Sequence, residues 1–66
     1  MNISALKNTL EPIIDKESLA TVLLALSEIC TDKAQHVQET YKDKNLTKAW
    51  DNASAAIIKA CKDIKV

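Results

Sequence analysis

The single histidine, His36, lies four residues after Asp32 and three residues before Glu39. At about 3.6 residues per turn the three side chains share one side of a helix, a spacing that can bring carboxylates and imidazole to one metal ion. That side points away from the apolar stripe through Cys30, and no second helix offers a further ligand. We therefore interpret the three residues as a solvated surface and predict no metal site.

The two cysteines, Cys30 and Cys61, both fall on predicted apolar stripes. A catalytic thiolate needs partial exposure and a nearby base or helix N-terminus, and the sequence predicts neither here. Two cysteines are also too few for a disulfide scaffold. We predict two buried free thiols, offset by about four residues along neighbouring helices and therefore too far apart to bond to each other.

The two aromatic residues, Tyr41 and Trp50, could stack on nucleic-acid bases. Base-stacking platforms are usually interleaved with basic residues, whereas the only lysine-rich stretch here is Lys59, Lys62 and Lys65, near the C-terminus. Those lysines suit the negative end of a helix dipole. We predict that Trp50 packs in the core, that Tyr41 lies at its boundary, and that nucleic acid is not the partner.

The composition argues against catalysis. No glycine occurs among the 66 residues, so a glycine-rich phosphate loop cannot form. Nine lysines balance nine acids, and the formal net charge is zero. No nucleophile lies beside a base and an orienting group. We predict that the protein is not an enzyme and uses no cofactor.

The length allows one domain, residues 1–66, which would be marginally stable alone. The longest apolar run, Val22 to Leu26, is far shorter than the roughly 20 residues of a membrane span. We expect no signal peptide in the first residues, because they lack a basic region followed by a long apolar run. We expect a cytoplasmic protein without a membrane partner.

Alanine, lysine, glutamate and leucine favour helices, and the lack of glycine disfavours β-hairpins. We predict an all-α fold of three helices, a short N-terminal helix followed by a long antiparallel hairpin. Pro12 should end the first helix near Leu10, or kink it on the way to Ile14. The second helix should span about residues 16–42, with Asp15 as its N-cap, and the third should begin after Asn45.

The apolar positions of the two long helices predict which residues face each other across the hairpin. Centring the loop on residues 43–44 makes the numbers of facing residues sum to about 87, and every layer is then apolar on both sides. The predicted pairs are Tyr41–Leu46, Val37–Trp50, Ala34–Ala53, Cys30–Ile57, Leu26–Cys61 and Leu23–Ile64.

Apolar side chains exceed what one short helix can cover. They surround the start of the second helix at residues 19–26 and broaden the third at residues 55–58. We therefore predict a protein-protein interaction module, a homodimer with Val22, Leu24, Ile29 and Ile58 in its interface, packed against their own copies or against the partner's first helix. The alternative is a small inhibitor or co-chaperone that holds a helix of another protein.

Overall fold

The computed structural model describes residues 2–66 and contains three helices: α1 (Ile3–Glu17), α2 (Leu19–Thr40) and α3 (Lys44–Cys61). Helices α2 and α3 pack along their length as an antiparallel hairpin. Helix α1 contacts α2 over a small area and does not contact α3. The predicted all-α fold of three helices is thus confirmed. Between residues 2 and 66, no helix has both the length and the apolarity that crossing a bilayer requires.

Helix α1 passes through Pro12 without ending, so the predicted end near Leu10 is wrong. Proline removes one backbone donor and crowds the carbonyl four residues earlier. Pro12 is exposed and lies about 160° around the helix from Leu10, on the side opposite the apolar stripe. Water can therefore satisfy the carbonyl that loses its partner, and the helix continues to Glu17.

Ser18 alone separates α1 from α2. Its backbone has φ 92° and ψ 151°, a region that favours glycine, and it both ends α1 and caps α2. Its amide N–H donates to Ile14 O at 2.8 Å, and its Oγ accepts from the Thr21 N–H at 3.2 Å. Asp15 lies inside α1, so the predicted N-cap at Asp15 is wrong. Helix α2 therefore begins after the Ser18 cap and not after Asp15.

The Ser18 backbone gives the first testable prediction. A non-glycine residue in this region stores about 1–3 kcal/mol, while replacing a serine cap by glycine loses only a few tenths of a kcal/mol. Glycine also loses more chain entropy on folding, by about 0.5–1 kcal/mol. We expect Ser18→Gly to raise the free energy of unfolding by up to about 1 kcal/mol, and Ser18→Ala to lower it by about 1 kcal/mol. Urea unfolding followed by circular dichroism measures both, and equal midpoints for the two variants would show that the backbone is unstrained.

The α2–α3 loop comprises residues 41–43. Lys42 takes a left-handed conformation with φ 52°, and its N–H donates to Val37 O at 3.0 Å. Asp43 caps α3, because its carboxylate accepts from the Leu46 N–H at 3.0 Å. The prediction that α3 begins after Asn45 is therefore wrong by two residues, and α2 ends at Thr40 rather than near Lys42.

The earlier loop shifts the hairpin register. Side-chain contacts join Thr31 to Ser54 at 3.0 Å, and Gln38 to Thr47 at 3.4 Å. Cys61 Sγ donates to Ala20 O at 3.4 Å, rather than facing Leu26. The residue numbers of these pairs sum to between 81 and 85, so the predicted sum of about 87 is too large. A loop centred on Lys42 accounts for the difference.

The core of the hairpin is small and partly polar. Only Cys30, Ala34 and Val37 are buried apolar residues among the described positions, together with Ser27 and Ser54. The Ser54 hydroxyl donates to the Ser27 carbonyl at 3.0 Å, and the Ser27 hydroxyl donates to Leu24 O at 2.6 Å. Small residues let the two helices approach closely here, and every buried side-chain polar atom described has a hydrogen-bond partner.

The remaining core predictions hold in part. Trp50, Ile57 and Ile64 are half-buried, whereas Tyr41 and Leu46 are exposed. Both cysteines are free, as predicted, but only Cys30 is buried, and Cys61 is half-buried. The exposure of Tyr41 and Leu46 follows from the earlier loop, because α2 ends at Thr40 and Tyr41 no longer faces Leu46 across the hairpin.

Candidate interaction surface

The four predicted interface residues lie on two opposite faces of the hairpin. Leu24 lies seven residues, about two turns, before Thr31, and Ile58 lies eleven residues, about three turns, after Thr47. Each therefore shares a flank of its helix with a residue that hydrogen-bonds across the hairpin. Val22 and Ile29 are seven residues apart and therefore share a flank with each other. That flank lies about 140–160° around α2 from Leu24.

We call the face with Leu24 and Ile58 the polar face. Both residues are exposed, and their numbers sum to 82, so they lie at the same level of the hairpin. Their surroundings are the side chains of the interhelical hydrogen bonds and of charged residues farther out on both helices. The two residues form a small apolar island rather than a continuous patch.

We call the opposite face the apolar face. Its α2 flank carries the 3–4–3 spaced residues Leu19, Val22, Leu26 and Ile29. Its α3 flank carries Leu46, Ala49, Ala53 and Ala60. Ile29 is 49% exposed and Leu26 is 40% exposed, although both are large aliphatic residues. The large aliphatic side chains of the α2 flank thus form a half-open apolar surface, which the small residues Ala53 and Ala60 border on the α3 side.

Charge is nearly absent from the apolar face. Lys33 lies on the α2 flank, four residues after Ile29, and Asp32 borders that flank, whereas the part of α3 on this face carries no charged residue. The acids of α2 and the lysines of α3 point to the outer edges or toward the polar face. Depletion of charge around a set of aliphatic side chains is the composition found at the centre of protein interfaces.

Helix α1 adds a second uncovered apolar stripe. No residue of α1 is buried, and its apolar residues repeat with helical spacing at Ile3, Leu6, Leu10 and Ile13. Leu10 is half-buried, whereas Ile3, Leu6 and Ile13 are exposed. A shallow groove lined by Lys7, Leu10, Glu11 and Ile14 runs along the same helix. It is too open to enclose a small molecule.

The whole chain exposes more surface than a folded protein of its mass. Its accessible surface is 5326 Å² for 7.3 kDa. A compact monomer of this mass exposes about 4,200 Å². The radius of gyration is 13.6 Å, against about 11 Å for a compact domain of this length. The excess, about 1,100 Å², exceeds the roughly 800 Å² that each partner buries in a standard interface.

The other candidate residues do not form a site. The His36 ring meets the Tyr41 ring edge-on, with centroids 6.2 Å apart. Within residues 2–66, no three histidine, cysteine or acidic side chains lie close enough to hold one metal ion. The Cys61 thiol donates to the backbone carbonyl of Ala20 at 3.4 Å.

Sequence reasoning misses half of the apolar face. The predicted register places Leu26 and Ala53 in the hairpin core and leaves Ala49 out of the predicted surface. The signal is nevertheless present, because Leu19, Val22, Leu26 and Ile29 repeat the 3–4–3 spacing of a second helical seam beside the first.

Comparison with known proteins gives no match for this chain. No protein family, no curated protein and no solved structure matches it. The geometry of the apolar face is therefore the basis for assigning its role.

Proposed function

We propose that this chain is a small helical interaction module that self-associates into a homodimer through the apolar face. The observation that carries the proposal is the excess of accessible surface, which is larger than the area that one partner buries in a standard complex. A small chain with half-exposed leucine, valine and isoleucine side chains forfeits about 25 cal/mol for each Å² left in water. Association with a second copy recovers that free energy.

A second copy is the occupant that the surface favours. The chain has no net charge, so two copies do not repel each other over long distances. The apolar face carries almost no charge that would have to be matched by a specific partner. A twofold contact is also the commonest closed arrangement of small chains. No catalytic role accompanies this function, and Val22 and Ile29 remain the interface residues that the proposal retains from the sequence.

Ile29→Lys tests the proposal. The substitution places a charge in the centre of the apolar face, and we expect it to raise the dimer dissociation constant at least tenfold, since burying an unpaired charge costs more than about 1.4 kcal/mol. Ala55→Lys is the matched control, because it adds the same charge at an exposed α3 position on the outer edge. Sedimentation velocity at matched concentrations measures both.

Two results would contradict the proposal. The first is a parent chain that stays monomeric at high micromolar concentration, in which case the apolar face would serve a helix of another protein, as an inhibitor or co-chaperone does. The second is an Ile29→Lys variant that associates as strongly as Ala55→Lys. If Ala55→Lys still dimerises and Ile29→Lys does not, the result supports the apolar face as the contact.

A further inference from the structure

Helix α1 and the apolar face carry the same pattern of large side chains. Ile3, Leu6, Leu10 and Ile13 on α1 repeat with the 3–4–3 spacing of Leu19, Val22, Leu26 and Ile29 on α2. Each stripe covers ten residue steps, about 15 Å along its helix. Two helices with such seams can pack layer on layer over their full common length.

Helix α1 does not fold back along the apolar face of its own chain. Antiparallel helices need a connection of about 2–5 residues, and Ser18 alone joins α1 to α2. The structure accordingly shows α1 in contact with only a small part of α2 and with no part of α3. Half or more of the large side chains in each stripe stay exposed within one chain, although the two stripes match in length and spacing.

We infer that the two copies of the dimer exchange α1, so that each α1 covers the apolar face of its partner. The inference rests on the proposed self-association and names the contact that produces it. Short connections that prevent closure within a chain favour such exchange. Reciprocal exchange covers both stripes in both copies, and the resulting contact is isologous, so it closes at two chains.

The connection between α1 and α2 gives the sharpest test. Insertion of Gly-Ser-Asn-Gly after Ser18 would give the chain a loop long enough to fold α1 onto its own apolar face. We expect this variant to be monomeric at concentrations where the parent is dimeric, with its helical content unchanged. The matched control inserts the same four residues after Lys42, which lengthens the chain equally and leaves the α1 connection intact. We expect the control to remain dimeric.

A pair of point substitutions keeps the test decisive if an insertion prevents folding. Leu6→Glu charges the α1 stripe, and we expect it to raise the dimer dissociation constant at least about tenfold. Asn8→Glu adds the same charge on the opposite, exposed side of α1 and should change that constant less than about twofold.

The outcomes separate this inference from the proposed function. A parent chain that is monomeric at all concentrations overturns both. A dimeric parent whose Ser18 insertion and Leu6→Glu variants dimerise like their controls overturns the exchange of α1 and leaves self-association through the apolar face standing.

Discussion

Ser54→Leu should remove most of the free energy that keeps the protein folded. Ser54 is buried between α2 and α3, with its hydroxyl 3.0 Å from the Ser27 carbonyl and 3.0 Å from the Thr31 hydroxyl. A leucine forced into this contact must push the helices apart, which costs about 1–3 kcal/mol, and the lost hydrogen bond costs about 1 kcal/mol more. A domain of this size has only about 3–5 kcal/mol of stability.

Ser54→Ala is the control for that prediction. Alanine removes the hydroxyl without adding volume, and the Ser27 carbonyl keeps the Thr31 hydroxyl as a donor at 3.1 Å. We expect a loss of about 1 kcal/mol or less, because alanine also has the higher helix propensity. Urea unfolding followed by circular dichroism compares the two variants. Equal midpoints would mean that the helices are not closely packed at Ser54.

Trp50→Ala should destabilise the hairpin strongly, although less than Ser54→Leu does. Trp50 lies on the α2 side of α3 and is half-buried, so its loss should cost less than the roughly 3–5 kcal/mol of a fully buried aromatic residue. We expect about 2–3 kcal/mol. Tyr41→Ala is the matched aromatic truncation near the same end of the hairpin, and Tyr41 is 68% exposed.

The Tyr41→Ala control should lose less than about 1 kcal/mol, as exposed residues usually do. Circular dichroism must follow the unfolding, since the Trp50→Ala variant lacks the only tryptophan. Equal losses in the two variants would show that Trp50 is not part of the hairpin contact. Trp50 would then be available as a binding residue.

The helices could be predicted from the sequence, but their ends could not. Composition and apolar spacing predict three helices and an antiparallel hairpin. The two connections depend on Ser18 and Lys42, which adopt positive φ angles without being glycine. Neither residue type indicates such a conformation, so the predicted loop lies too close to the next capping residue, Asn45, and the predicted register is displaced with it.

The polar centre of the hairpin is equally hidden in the sequence. Serine usually lies at helix surfaces and caps, so sequence patterns do not place Ser27 and Ser54 in the core, although Ser27 is only 2% exposed. Each hydroxyl donates a hydrogen bond to a backbone carbonyl of α2, so neither serine needs a polar side chain as a partner. A pattern of apolar residues alone cannot reveal a contact made by small polar ones.

The candidate surface could be predicted in part. The number of apolar residues, set against the length of α1, correctly indicates uncovered surface, and Val22 and Ile29 lie together on the apolar face. Leu24 and Ile58 lie on the polar face. The sequence does not predict this, because a cluster of apolar residues does not show which flank of a helix each residue occupies. Assigning the flanks requires the register, which only the structure supplies.

Sedimentation equilibrium of the unmodified chain tests self-association most directly. Measurements from low to high micromolar concentration should show a mass that rises from 7.3 kDa toward twice that value and then levels off. A single dissociation constant should describe all the data. A mass that remains at 7.3 kDa throughout would contradict the homodimer, and a mass that continues to rise beyond two chains would contradict a closed twofold contact.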